Sequence, residues 1–338
     1  MAYQITHSLA PLEALRSVPL SAQIKRDITS HREVIRRILS GEDHRKLVIC
    51  GPCSIHSRSS ALSYAERLKV LADEVADSLF LVMRNYFEKP RTQYAWKGFL
   101  HQPSVTGEVN VLEGITQARE ILIKVAEIGV PAGTEVLSPT LISYFEDLIS
   151  WACIGARTSE SQTHREVASS LEVPVGFKNT TEGNTEVAIN GMISASRPHQ
   201  LIRIIEGTPH AVVSEGNPDT HVVLRGRNYP QYGSNYHLRD VTRVLEQLKS
   251  SKLQPKVLID CSHGNCEGDF KRQADVAQVV LSHIQQGVPI QGILLESHLR
   301  GGRGPIQSPL PPDLSITDPC LGWEDTQTLI RSWAEALS

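Results

Sequence analysis

Eight short apolar runs rich in β-branched residues, amphipathic stretches between most of them, and a charged or nucleophilic residue just after every run predict an α/β chain closed into a (β/α)8 TIM barrel with an N-terminal helical arm. Eight such units across residues 41–338 suit a closed barrel better than an open doubly wound sheet. Residues 1–40 form an arm or a lid over the barrel and include one helical stretch, Ile24 to Leu39. Leu47–Cys50 is the first strand. ALSYAERLKVLADEVADSL, with apolar residues three and four apart, is a helix leading to the second strand, Leu79–Met83. GITQAREILIKVAEIG is a helix before Val130–Thr134, and TLISYFEDLISW is one before Cys153–Ala156. Pro174–Phe177 and His221–Leu224 are the fifth and sixth strands, YHLRDVTRVLEQLKSS is a helix, and Val257–Ile259 and Gly292–Leu295 complete the set. Pro305 to Pro312 reads as an extended, proline-rich loop.

The 338 residues are 40% hydrophobic, enough for a substantial core. With 34 basic and 37 acidic residues the net charge is −3, so no global field draws the chain to nucleic acid or an anionic membrane, and its partners are small molecules. The N-terminus, MAYQITHSLAPLEAL, lacks a basic segment followed by an apolar core, and no stretch approaches the ~18 apolar residues of a membrane span. These features predict a cytoplasmic protein in which the six cysteines are reduced thiols. Cys50-Gly51-Pro52-Cys53 has the spacing of a dithiol redox pair, but its first cysteine closes a buried strand and a polar loop, Ser54 to Ser60, follows. Cys50 is therefore a core residue, and Cys53 is free for another task.

The chemistry gathers at the ends of the strands. Arg84, Lys89, Arg91, Arg157, Lys178 and Arg225 are six cations around one mouth; they repel one another unless a multiply charged anion or nearby carboxylates offset them, and phosphate suits their donors best. Cys53, His263, Glu296 and, in the loop after the last strand, Asp318 form a second group. A thiolate, an imidazole and two carboxylates suit a divalent metal ion such as Mn2+, Fe2+, Co2+ or Zn2+. These residues alone allow a metal-dependent aldolase or a phosphohydrolase.

GPCSIH, MRNYFEKPRT, WKG, IGARTSES, PVGFKN, VVLRG, IDCSH, ESH and SITDPCLGWEDT together resemble the type I 3-deoxy-D-arabino-heptulosonate 7-phosphate (DAHP) synthases of the shikimate pathway, from about Pro11 to the C-terminus. The resemblance implies a transferase that condenses phosphoenolpyruvate with erythrose 4-phosphate and releases phosphate, assembled as a dimer or tetramer. It implies metal ligation by Cys53, His263, Glu296 and Asp318. It further implies phosphoenolpyruvate binding by Arg84, Lys89, Arg157, Lys178 and Arg225, with Glu135 and Ala156 helping through the backbone, and the sugar phosphate held by Lys89-Pro90-Arg91-Thr92. Lys89, among five other cations, is expected to have a lowered pKa and to protonate the new alkoxide, while Asp318 or His263 takes the proton of the attacking water.

Three departures lie near the aldehyde end: Thr180 stands where the family has glycine, the segment Gly264-Asn265-Cys266-Glu267-Gly268 loses a hydroxyl at Cys266 and a basic residue at Gly268, and Arg227 replaces the second glycine of RGG. They leave two alternatives, a sister synthase using another aldose phosphate in secondary metabolism and a non-catalytic barrel paralogue. The resemblance also implies a remote pocket for an aromatic amino acid. There Glu172 and Arg203 are expected to pair across the cavity and fill it, making the enzyme insensitive to such inhibitors.

Overall fold

The computed structural model describes residues 20–205, 208–228, 231, 233–306 and 310–338. Residues 1–19 of the expected arm and 307–309 of the proline-rich loop lie outside them. The chain begins with α1 (Ala22–Ser40), capped by the Ser21 hydroxyl, which accepts from the Ile24 amide at 3.1 Å, and closed by Gly41 at φ 83°. It continues through β1 (Lys46–Gly51), α2 (Arg58–Glu74), β2 (Leu79–Arg84), α3 (Val111–Ile128), β3 (Ala132–Glu135), β4 (Trp151–Ile154), α4 (Gln162–Ser170), β5 (Val175–Lys178) and α5 (Glu186–Ala195). A hairpin of β6 (Gln200–Ile205) and β7 (Thr208–Val213) follows, and then β8 (Thr220–Leu224), α6 (Leu238–Ser250), β9 (Val257–Asp260), α7 (Gln273–Gln285) and β10 (Gly292–Glu296). Two short strands, β11 (Arg300–Arg303) and β12 (Leu314–Ser315), precede α8 (Trp323–Leu337).

Eight strands close the expected TIM barrel in the order β1, β2, β3, β4, β5, β8, β9, β10, all parallel. Alternation along β1 sorts its side chains. Leu47 and Ile49 join the inner cluster with Val82, Trp151, Val223, Leu258 and Leu294, while Val48 and Cys50 join the outer cluster beneath the helices. The inner waist is filled by Trp151, whose ring needs the glycines on both neighbouring strands: a Cβ at Gly133 would stand 3.1 Å from its Cε3, and one at Gly176 3.1 Å from its Cζ2. Its indole N–H donates to His221 Nε2 at 3.1 Å, and burial pushes the His221 pKa down to about 3, keeping that ring a neutral acceptor.

Three features differ from the sequence reading. The first is the arm: α1 does not lie over the catalytic mouth but plugs the opposite end. Ile35, Ile38 and Leu39 join the inner cluster, and Arg32 and Arg36 bond to Ile149 O, Glu172 O and Asp219, all of which precede their strands. The second is the β3–β4 connection, where one 3-10 turn (Leu141–Tyr144) replaces the expected helix over 140–151. Leu141, Ile142, Tyr144, Phe145, Leu148 and Ile149 are all buried, leaving no solvent face, and arginines take its carbonyls: Arg119 bonds Tyr144 O and Arg32 bonds Glu146 O. The third is the β6–β7 hairpin. Its polarity is mixed on both faces, with Arg203 buried beside Leu201 and Ile202 73% exposed, so hydrophobic periodicity passes over it.

Ile35→Ala, which opens the seam between the plug and the barrel, is expected to destabilise the fold by about 2–5 kcal/mol, read from the shift of the urea unfolding midpoint.

Candidate active site

The metal-binding candidates come from four segments at the C-terminal ends of the strands. Cys53 follows β1, His263 follows β9, Glu296 ends β10, and Asp318 lies beyond β12. Ligand atoms of Cys53, Glu296 and Asp318 all lie within 4.8 Å of one another, with Cys53 Sγ 3.4 Å from Asp318 Oδ2. His263 Nε2 stands 3.7 Å from Glu296 Oε1. The backbone of Glu296 is clamped by buried Gln273, which accepts its N–H at 2.8 Å and donates to its C=O at 3.1 Å. His263 takes φ 56°, a left-handed conformation uncommon outside glycine, and its Nδ1 lies 3.0 Å from Asp260 Oδ2. Nδ1 also lies 2.6 Å from Ser262 Oγ; with Nδ1–H directed at this hydroxyl and the Asp260 carboxylate, Nε2 offers its lone pair. A thiol, an imidazole with its free nitrogen inward and two carboxylates this close, mostly screened from water, form a donor set that fits a divalent cation.

Burial, reinforced by the Glu296 carboxylate, pushes the Cys53 thiol up to about 12, so a bound cation would have to displace its proton. Lys89 corrects an expectation. Its Nζ donates to Cys53 Sγ at 3.0 Å and Cys53 O at 3.3 Å; burial works to lower its pKa, but Cys53, Asp318 and Glu296 outweigh it and raise it. The neighbours that dominate are the Cys53 sulfur and two carboxylates rather than the other cations, so Lys89 stays protonated. Burial tends to raise the Asp318 pKa, and Lys89 and His263 overcome it and hold the carboxyl below its usual range.

The six cations separate into layers. Arg84 is 0% exposed, with Nη2 3.0 Å from Glu296 Oε1 and its guanidinium 4.0 Å from the Tyr86 ring centroid. Lys178, also buried, donates to Asp260 Oδ2 at 2.9 Å. Arg225 is buried beside them, where burial lowers its pKa against the pull of Asp260 and Glu296. Among the described residues Arg84 Nε and Nη1 and Arg225 Nη1 have no hydrogen-bond partner. Buried donors left unmet cost about 1–3 kcal/mol each, so three in one place mark an anion seat. Glu135 closes one side, folded so tightly over Gly155 that a Cβ there would meet its Oε1 at 2.2 Å. Higher up, Arg91 is half-buried and donates through Nε to Trp96 O at 2.8 Å, next to half-buried Pro90 and exposed Thr92. Ala156 is half-buried and Arg157 exposed in the loop after β4; among the described residues no hydrogen bond or ion pair ties Arg157 to the other five cations.

Sequence reasoning missed several groups that position these. Asp260 holds both Lys178 and His263, and its only signal was an acid at the end of an otherwise apolar strand. Glu88 accepts from His101 Nε2 at 2.9 Å and from the Ser138 amide at 3.2 Å, fastening the segment that carries Lys89 and Arg91. Asn179 Oδ1 accepts from the Arg225 amide at 2.8 Å, joining the loops after β5 and β8. The three departures from the family pattern engage their own loops. Thr180 Oγ1 accepts from the Asn184 amide at 3.1 Å, Cys266 Sγ donates to His263 O at 3.3 Å, and Arg227 curls over Gly233.

The remote pocket also differs from expectation. Glu172 and Arg203 do not pair: the Glu172 side chain is 89% exposed and reaches Arg32 at 3.4 Å, whereas Arg203 bonds to Glu146 and, at 2.6 Å, to Ser170 Oγ. Among the described residues a cavity of about 880 Å³ remains between them, so the expected pair does not fill it.

Glu88→Ala removes both bonds of the fastening carboxylate. It is expected to speed amide exchange across residues 88–101 by about tenfold or more while leaving the barrel strands protected, as hydrogen-exchange mass spectrometry would read.

Comparison with known proteins bears on the same residues. The profile described as the DAHP synthetase I family matches residues 19–331. The Tyr-sensitive phospho-2-dehydro-3-deoxyheptonate aldolase of Escherichia coli (strain K12) is 44% identical over 96% of this chain and 91% of its own length. The Trp-sensitive enzyme of the same organism is 41% identical over 99% of this chain and 96% of its own. The solved structure of the phospho-2-dehydro-3-deoxyheptonate aldolase from Francisella tularensis SCHU S4 superposes with a TM-score of 0.96 at 36% identity, covering 99% of this chain and 98% of that one. Sequence and fold agree over nearly the entire chain, and the protein belongs to the DAHP synthetase I family.

Proposed function

We propose that this chain condenses phosphoenolpyruvate with erythrose 4-phosphate to give 3-deoxy-D-arabino-heptulosonate 7-phosphate and inorganic phosphate. The observation that carries this reading is the adjacency of two sites on one barrel face: buried arginines with unmet donors, and a Cys53, His263, Glu296 and Asp318 donor set joined to them through Glu296. The relatives named for this activity align over nearly the whole chain.

Arg84, Lys178 and Arg225 bind the phosphate and carboxylate of phosphoenolpyruvate and hold its enol carbon in one orientation, with Lys89 and Arg157 closing over it and Glu135 and Ala156 shaping the wall. Arg91 and Thr92 take the phosphate of the sugar at the rim. A divalent ion held by Cys53, His263, Glu296 and Asp318 would supply Lewis-acid polarisation of the aldehyde. As the enol C3 attacks the aldehyde carbon, Lys89, already protonated, delivers its proton from Nζ to the forming alkoxide. Water adds at C2, the C–O bond to phosphate breaks, and Asp318, ionised and exposed at the rim, accepts the proton of the water. Thr180 and Arg227 spend their side chains within their own loops, and Cys266 reaches only the backbone carbonyl of His263, leaving its ring unchanged, which favours the four-carbon sugar over a longer one.

The direct test follows phosphoenolpyruvate loss with erythrose 4-phosphate, before and after chelation. Activity is expected with the four-carbon aldose phosphate, lost on chelation and restored by Mn2+; turnover only with a five-carbon sugar phosphate would replace this reading with the sister synthase. Cys53→Ala is expected to lower activity about 100-fold or more, while Cys50→Ala, in the outer core, is tolerated. Lys178→Ala should raise the Michaelis constant for phosphoenolpyruvate about 10- to 100-fold, and Arg91→Ala should fall mainly on the sugar phosphate, both read from steady-state kinetics.

A further inference from the structure

We propose that Asp260 is the positioning residue through which the cation seat and the anion pocket strengthen each other. The inference rests on the functional reading above and concerns a residue that touches neither ligand. Asp260 ends β9 and is fully buried. Its Oδ2 lies 2.9 Å from Lys178 Nζ and 3.0 Å from His263 Nδ1, so one oxygen serves the lysine of the anion pocket and the imidazole of the cation seat together. Its Oδ1 is occupied from behind by the Ser262 amide at 3.1 Å and the Ser262 hydroxyl at 2.6 Å, which fixes the carboxylate plane; that hydroxyl is also 2.6 Å from His263 Nδ1, a second link from the same carboxylate to the imidazole. Burial alone would raise its pKa, but His263, Lys178 and Arg84 outweigh it and keep the group ionised.

Sharing one oxygen has a definite sign. A cation on His263 Nε2 makes Nδ1–H a stronger donor, which draws electron density on Oδ2 toward the imidazole and leaves Lys178 less compensated. An ammonium short of negative charge binds an anion more tightly. In the reverse direction, an anion on Lys178 frees Oδ2 for His263, and a better-supported imidazole is a better ligand. Linkage requires the two effects to be equal. Direct attraction between a bound cation and a bound anion adds to the coupling, but it does not pass through Asp260, so a variant separates the two.

The test measures the dissociation constant of Mn2+ by titration calorimetry, without and with saturating phosphoenolpyruvate, and again with inorganic phosphate as the anion, in the wild-type protein and in Asp260→Asn. Phosphoenolpyruvate is expected to tighten Mn2+ binding in the wild type by about 5- to 150-fold, and Asp260→Asn to cut that factor about threefold or more, leaving only the part that direct attraction supplies, while weakening Mn2+ alone about 10- to 100-fold. A coupling factor unchanged in Asp260→Asn overturns the proposal and leaves the synthase reading intact. If phosphoenolpyruvate does not bind but phosphate shows the Asp260-dependent coupling, the synthase reading fails and the proposal stands. Should Asp260→Asn not fold, the wild type answers by itself: adding phosphate to the metal-free protein is expected to move the His263 Nδ1–H proton resonance, and an unmoved resonance in the anion-saturated protein refutes the shared oxygen.

Discussion

Two charges taken out of water have to neutralise one another, and at the top of this barrel that constraint organises what surrounds it. Arg84 and Glu296 meet at 3.0 Å with almost no exposure on either side chain. The pair crosses over β1 and ties β2 to β10, the two strands that flank it. Removing one member of such a pair commonly costs about 3–5 kcal/mol, because the survivor is stranded. Glu296 is consequently held from behind by Gln273, and Arg84 from beneath by the Tyr86 ring. What the pair leaves over is chemically useful. Arg84 keeps Nε and Nη1 for a ligand, and Glu296 lies within reach of both Cys53 and His263.

The same reasoning explains what the sequence made legible. The eight barrel strands were readable because they are buried on both faces, so most are short apolar runs whose closing residue lands on the catalytic side; β4 starts at Trp151, two residues before the run that predicted it. The liganding and anion-binding types were legible for that reason too. Relations across the barrel were not. Asp260 looks like one more acid after a strand until β9 is set beside β8 and β10, and Lys89 looks like one cation among six until Cys53, Asp318 and Glu296 are found around it. The β6–β7 hairpin escaped because one of its inward positions is an arginine and an outward one an isoleucine, and the β3–β4 connection because a mostly buried segment has helix-like apolar spacing without being a helix.

The two ends of the barrel therefore work under different rules. The end plugged by α1 is apolar inside and fastened at its edge by Arg32 and Arg36 to backbone and carboxylate groups that precede β4, β5 and β8. The opposite end is almost wholly polar, held by shared carboxylates. Between them stands the layer around Trp151, with glycines on the strands to either side.

That layer makes the indole an internal reporter. Trp151 is fully buried, sits between the plug and the chemistry, and touches strands that lead to both. Its hydrogen-bond partner, His221, stays neutral across the physiological pH range, so the imidazole does not acquire a charge that would alter the emission of the ring. Light from this residue thus reports how the strands are spaced, whichever end of the barrel sets the spacing.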